Sequence, residues 1–485
     1  MNASVRAIRS GVKETAAVLD QAQAASTKRP AYTYVPPSHA RALEPDATLI
    51  EGIRGAGKSF WFALLASSPH LDFVRSSFPE ARLPAEIKVA QGFGTGLSIS
   101  QAPDADTLVD LVEKFRSRSI WRAVAAHQVQ IGGEFASMRT WKERVSWVQA
   151  NPEGFAGSLE EADGKLASQG KTLLILFDAL DRMADDWDHI RTLAKGLLQV
   201  ALDLRSTRAI RCKVYVRPDL LQDEAITSFP DYSKLLATKA SLVWNRADLY
   251  SLLYQCLGNA EISRKSFVAL ASKVTGKPQS APRGSDWAVP TILRRDEFLQ
   301  EELFKQIAGV AMGSSTKRGK PYTWLVNHLQ DGLDQVSPRS FYAALGKAAD
   351  ETPDDHELPL DYRGIQRGVQ EASQIRVKEI TEDYPWVREV MAPLRGNLTV
   401  PCDASEITRL WKQDRTISRL EGKLMAEGAV VKLPPQNIEQ GPKGVLLDLE
   451  ALGMVQRIPQ DRIQMPDVYR VAFGFGRRGG VKPLR

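Results

Sequence analysis

The stretch TLIEGIRGAGKSFWFALL, Thr48 to Leu65, holds the most specific chemistry in the chain. Gly52, Gly55, Gly57, Lys58 and Ser59 fit G-x-x-x-x-G-K-[ST], after an apolar β-type run and at the start of an apolar helical one. That spacing points to a loop that binds a nucleoside triphosphate. Its backbone N–H groups, from Gly52 through Arg54, Gly55, Ala56 and Gly57 to Phe60, can turn inward around phosphates, and the helix N-terminus adds partial positive charge. Lys58 is expected to reach the β- and γ-phosphates, and the Ser59 hydroxyl to ligate magnesium.

A second run, LLILFDALDRM, places two acids at the tip of a buried strand. Asp178 stands where a magnesium-holding acid belongs, helix capping being the alternative. Asp181 has three readings: placing the attacking water near the γ-phosphate, capping a helix that begins near Arg182, or pairing with an arginine. The usual glutamate directly after the first aspartate is replaced by Ala179. Asp185 and Asp186 read as a solvated helix start.

Two arginines complete the candidate site. In CKVYVRPDLL the β run ends on Arg217, where it could sense the γ-phosphate or pair with Asp219 or Asp231. In VSPRSFYAAL, Ser337 reads as an N-cap, Pro338 as the first helical residue and Arg339 as part of the first turn. A cation there opposes the helix dipole, so either a nearby anion such as phosphate explains it, or Arg339 is a surface residue.

The elements around these residues have the pattern of a parallel α/β sheet. Expected strands are Thr48 to Gly52, Glu86 to Phe93, Leu173 to Asp178, Lys213 to Arg217 and Ser241 to Trp244. Helical periodicity covers Thr107 to Val124 and His189 to Leu204. The 485 residues exceed one ordinary core. Four zones are expected: an N-terminal helix and linker (1–42), a P-loop core (43–245), a helical lid (246–350), and a helical linker leading to a last domain (351–485). Loops are expected at GKPQSAPRGSDWAVP and SSTKRGKPY.

With 43% hydrophobic and 25% charged residues, the composition is that of a globular protein. A net charge of +6 permits nucleic-acid contact without arguing for it. Cys212, Cys256 and Cys402 lack metal-ligand spacing and read as reduced, buried thiols. No run approaches the ~18 apolar residues of a membrane helix, and the N-terminal stretch lacks a signal-peptide core, so no membrane contact and a cytoplasmic location are expected.

Four pieces together, Gly52 to Ser59, LFDALDR, the strand-tip Arg217 and SPR before a helix, resemble the STAND and KAP-like bacterial ATPases of the AAA-type (ASCE) P-loop superfamily. KAP proteins read D-D-L-D-R and N-P-R where this chain has Asp178-Ala-Leu-Asp-Arg182 and Ser337-Pro-Arg339. Phe229 to Leu253 is similar to the segment that joins sensor strand to lid in such ATPases. The resemblance implies magnesium-dependent ATP hydrolysis driving a conformational or oligomeric switch, a homo-oligomer, an effector or sensor partner, and a setting such as anti-phage defence. It also implies an arginine finger from a neighbouring subunit, for which Arg182, Arg246 and Arg54 are candidates. Departures are the missing glutamate after Asp178 and the absence of membrane segments, an effector nuclease or a repeat array.

Toward the C-terminus, EITRLWKQD followed by LEALGMVQRIPQDRIQMPDVYRVAFGFG has winged-helix order. Asp461 and Arg462 are expected at the hairpin tip, with YRVAF as its second strand. From Arg457 to Arg485 there are seven Lys/Arg against two Asp/Glu, a patch that could contact DNA. Glycine runs at Gly92 to Gly96 and Gly474 to Gly480 lack the strand–loop–helix setting. Three readings follow: an ATP-hydrolysing switch or oligomeric motor, a DNA-remodelling ATPase, and a nucleotide-gated scaffold with little turnover.

Overall fold

Leu173 to Phe177 are apolar at every position and buried at every position, as a strand covered on both faces must be. Successive side chains point to opposite sides, and the two hydrophobic cores divide accordingly. Leu173, Ile175 and Phe177 join one core with helices Ser117–Val129 and Trp187–Leu204. Leu174 and Leu176 join the other with helices Lys58–Leu65, Arg246–Leu257 and Pro338–Glu351. The computed structural model describes residues 2–20, 29–84, 86–278, 286–426, 433–477 and 481–483. Part of the 276–290 loop, Gly479 and Gly480, and part of the basic tail lie outside them.

Five strands form the main sheet: β1 (Leu49–Glu51), β2 (Ile87–Phe93), β3 (Thr172–Phe177), β4 (Ile210–Val216) and β5 (Ala240–Ser241). Their order is β2-β3-β4-β1-β5, and every neighbouring pair is parallel. The result is a mixed α/β architecture built on one parallel sheet. Because β4 lies between β1 and β3, the loop after β1 and the acid after β3 are separated by the tip of β4. Ligands of parallel α/β sheets gather at that carboxyl edge.

The start of β4 is fixed by a side chain from the helix Pro152–Ser168. Asp163 is buried, and its carboxylate accepts from the backbone N–H groups of Arg208 (2.9 Å), Ala209 (2.7 Å) and Ile210 (3.1 Å). These donors precede or open the strand, so Asp163 sets where β4 begins and hence where Arg217 ends it.

Three expected elements differ. The periodic run Thr107 to Val124 is two helices, Ala105–Val112, capped by Asp104, and Ser117–Val129. At Ser241 to Trp244 pairing stops after Ser241 and one further bond from the Leu242 N–H to the Glu51 carbonyl. YRVAF is not a hairpin strand. Asp467–Phe473 is a helix, entered through Pro466 and ended by Gly474 in the left-handed region at φ 78°. Its Tyr469 Oη accepts from Arg376 Nε at 3.1 Å, and the Ser373 hydroxyl accepts from the Ala472 N–H at 3.0 Å. Packing against the long helix Tyr362–Asp383 overrides the β propensity of Val, Tyr and Phe.

The remaining strands are β6 (Thr399–Val400), β7 (Cys402–Asp403), β8 (Gln456–Ile458), β9 (Arg462–Gln464) and β10 (Gly476–Arg477). β8 and β9 form the antiparallel hairpin, with β7 on its other side, and Asp461 and Arg462 stand at its turn as expected. Helices Ala404–Gln413, Thr416–Leu424 and Pro442–Ala451 precede the hairpin. Cys212, Cys256 and Cys402 are buried and form no disulfide. Among the described residues, no helix is long and apolar enough to cross a membrane.

Asp163→Ala leaves three backbone N–H groups without their acceptor and is expected to cost about 3 kcal/mol of stability. Urea unfolding of the two proteins checks it, and a loss below about 1 kcal/mol would sink the assignment.

Candidate nucleotide site

The loop after β1 turns back on itself before the helix Lys58–Leu65 begins, with Gly55 at φ 81° and Gly57 at φ 104°. Such angles are open to glycine and strained for other residues. Gly55 is also sterically confined. A Cβ there would lie 3.0 Å from both Cβ and Oγ of Ser337 and 3.5 Å from Cβ of Arg339. The phosphate-loop fold thus sits directly against the start of the helix Pro338–Glu351, whose N-cap Ser337 accepts from the Ser340 N–H at 3.1 Å.

Lys58 is folded over its own loop, its Nζ donating to the carbonyls of Gly52 (2.7 Å) and Ile53 (3.0 Å). Burial first, and the positive charge of Arg217 second, push the ammonium down to about 8, while Asp178, Asp181 and Asp219 pull the other way. The Ser59 hydroxyl hydrogen-bonds the Asp178 carboxylate. Burial raises the Asp178 carboxyl above its ordinary value, opposed by that hydroxyl and by Lys58. Asp178 is held at the sheet edge by its N–H, which donates to the Phe93 carbonyl at 2.9 Å.

Directly after it the chain turns through Ala179 in the left-handed region (φ 58°, ψ 41°), and Leu180–Arg182 form a short 3-10 turn. The helix expected near Arg182 begins instead at Trp187. Its N-cap is Asp186, which accepts from the His189 N–H at 3.0 Å. Asp181 is therefore not a helix cap. Its carboxylate lies 3.8 Å from Arg217, the arginine-pairing alternative, and it also lines the cleft.

That cleft, about 930 Å³, brings together Lys58, Ser59, Asp178, Asp181, Arg217 and Arg339. Phosphate-loop residues Arg54, Gly55, Gly57 and Phe60 line it too, and Tyr32, Tyr34, Trp244 and Leu252 give it an aromatic, apolar wall. Gly52 and Ala56 shape the loop without lining the cleft; Ala56 is buried and its carbonyl accepts from Trp244 Nε1 at 2.8 Å. Ser59 and Asp178 are hard oxygen donors in direct contact, a set that suits magnesium, which takes one or two protein ligands and completes its shell with phosphate and water. Among the described residues, no group of three or more His, Cys, Asp or Glu is arranged to hold a metal.

Sequence reasoning offered Asp219 as a partner of Arg217 but missed the acids of the helix Tyr362–Asp383. Arg217 donates from Nε to Asp219 at 3.1 Å, from Nη1 to Asp383 at 2.7 Å and from Nη2 to Tyr384 Oη at 2.6 Å. Arg54 pairs with Glu382 at 3.0 Å and Asp383 at 2.7 Å, and Arg339 pairs with Glu379. The acids stand in the last turn of the helix Tyr362–Asp383, where negative charge opposes the dipole. That mismatch was the signal available in KEITED. Among the finger candidates, Arg54 is engaged as described. Arg246 pairs with Glu297 and Asn327, and Arg182 is exposed at the cleft.

No protein-family model matches the sequence, and none of the curated proteins matches it. Among solved structures, the chain is similar to that of the Aeropyrum pernix ORC2 protein in ADPNP and ADP complexes, with 12% identity over 91% of this chain and 94% of that one. The TM-score is 0.30, so the architecture rests on the strand order and loop described above.

Ala179→Gly removes left-handed strain at the cost of some chain entropy, and is expected to stabilise the protein by about 0.5–1 kcal/mol. Denaturant midpoints at unchanged m-value check it; a destabilised variant would show that the turn carries no strain.

Proposed function

We propose that this chain is a magnesium-dependent ATPase in which nucleotide binding and hydrolysis drive a conformational or oligomeric switch. The observation that carries the reading is the convergence of Lys58, Ser59, Asp178, Asp181, Arg217 and Arg339 on one cleft at the carboxyl edge of a parallel sheet. Loop N–H groups and Lys58 bind the phosphates, and the wall with Tyr32 and Tyr34 accepts the base. Ser59 and Asp178 would hold magnesium, which would supply positive charge to offset that of the phosphates.

Hydrolysis transfers the γ-phosphoryl group to water. The oxygen of water bonds to phosphorus, the bridging bond breaks, and ADP leaves with the electron pair. In this reading Asp181, which lines the cleft, orients that water and accepts its proton, Ala179 having no acid to offer. Arg217 and Arg339 offset the charge that develops on the phosphoryl oxygens. We read the three helices and hairpin near the C-terminus as a winged-helix-like switch module. In the hairpin Arg457 pairs with Glu450 and Asp461 and Arg462 donates to the Pro401 carbonyl, and in the helix after it buried Arg470 pairs with Asp467.

A second reading, a nucleotide-gated scaffold, draws on Ala179. Steady-state ATPase rates of wild type, Lys58→Ala and Asp181→Ala separate the two, and size in solution with and without ATP tests the oligomeric switch. Lys58→Ala is expected to abolish binding, and Asp181→Ala to lower kcat ~10²-fold or more with ATP still bound. Wild type no faster than either variant would leave only the scaffold. Double-stranded DNA added to the same assay is expected to leave the rate unchanged.

The Lys58 ammonium, near 8 in the free protein, gains stability against bound phosphates. Binding therefore takes up a proton above pH 8 and none well below it. ATP affinity is expected to be flat from about pH 6.5 to 7.5 and to weaken as pH rises through about 8 to 9.5. Calorimetric titration across that range checks it, and a flat profile would show that Lys58 does not meet the phosphates.

A further inference from the structure

The end of the helix Tyr362–Asp383 enters the cleft it was not expected to touch. Glu382 and Asp383 line it beside Lys58, Asp178 and Asp181. Between them, Glu379, Glu382 and Asp383 engage Arg54, Arg217 and Arg339, the arginines that face the phosphate-loop site. The same helix also grips the loop backbone, since Arg376 Nη1 donates to the Arg54 carbonyl at 3.1 Å. Close packing fixes the helix on the lid: a Cβ at Gly368 would lie 2.0 Å from the Ala344 carbonyl oxygen.

Carboxylate and phosphate groups are the same kind of partner for a guanidinium, each offering paired oxygen acceptors to its planar fork of donors. Arg217 has already spent Nε, Nη1 and Nη2 bonds on Asp219, Asp383 and Tyr384. A polyanion entering beside Lys58 must either take over those donors or sit against the carboxylates in a poorly solvated cleft, where like charges repel strongly. Three of the five N–H donors of that guanidinium are already engaged, so the acids and the polyanion compete for it.

We propose that the C-terminal end of this helix is an autoinhibitory latch, in which Glu379, Glu382 and Asp383 occupy the arginines that the terminal phosphates of a nucleoside triphosphate compete for. Binding of the triphosphate releases the latch and, with it, the segment from Pro385 onward that follows directly on the helix. Coupling of this kind is reciprocal: whatever pulls that segment away opens the site to nucleotide by the same factor. The inference rests on the nucleotide reading above.

The test is the affinity for ATP and for ADP, each with magnesium, of wild type, Glu382→Gln, Asp383→Asn, the Glu379→Gln/Asp383→Asn pair and Lys58→Ala. Melting curves identify any variant that fails to fold. The pair is expected to bind ATP ~10-fold tighter than wild type, with a smaller gain for ADP. Glu382→Gln, whose carboxylate is half exposed, is expected to gain about 2-fold. On wild type, a non-hydrolysable ATP analogue is expected to speed amide hydrogen exchange over residues 379–391, while ADP does so less. Folded carboxamide variants with unchanged or weaker ATP affinity would overturn the latch, as would wild-type exchange that does not respond to the analogue. Lys58→Ala binding ATP as wild type does would instead overturn the nucleotide reading itself.

Discussion

Arg217 is a guanidinium nearly sealed from solvent at the tip of the central strand, and the arrangement around the cleft follows from satisfying it. Desolvating a cation is tolerable only with good hydrogen-bonded anions around it. Those come from Asp219 two residues on, from Asp181 after β3 and from Asp383 on a helix 166 residues further along. Despite burial, these partners hold the guanidinium well above its ordinary value. The strand order β3-β4-β1 makes this one residue the meeting point of the loop, the acid strand and the C-terminal helix.

Two helix ends of the wrong sign resolve each other in the same place. Arg339 stands in the first turn of Pro338–Glu351, and Glu379 in the last turns of Tyr362–Asp383. Each opposes its own helix dipole, and they pair. Isolated, either would be a small liability. Joined, they fix the helix termini against each other above the phosphate loop, where Ser337 already touches the place a Gly55 side chain would take. A buried network of this kind contributes little net stability compared with apolar packing, but losing one member strands the others at about 3–5 kcal/mol. That combination, modest net worth and high cost of partial disruption, suits an element with two discrete positions rather than one that yields gradually.

The loop, the central strands and the Ser337 cap were legible because each is written in local sequence: glycine spacing, an apolar run and S-P-R ahead of a helical period. The helix at Asp467–Phe473 was not, since Val, Tyr and Phe favour strands and only contact with Arg376 and Ser373 decides otherwise. Asp163 and the three latch acids were also hidden. The partners of Asp163 lie 45 to 47 residues away and the cleft arginines of the latch acids 40 or more, and nothing in the local pattern names them. Only the charge sign at two helix ends hinted that a partner existed, without saying which.

The turn after β3 bears on why the chain can lack a glutamate at 179. Asp178 still hydrogen-bonds along the sheet through its N–H, so its carboxylate is fixed toward Ser59. The left-handed step at Ala179 then reverses the chain, and the 3-10 turn brings the next acid, Asp181, back to the cleft within 3.8 Å of Arg217. Ala179 itself lines the cleft but carries no acid. The turn thus brings a second acid to the cleft at position 181. The same turn ties Asp181 to Arg217, the arginine that also holds Asp383 from the C-terminal helix.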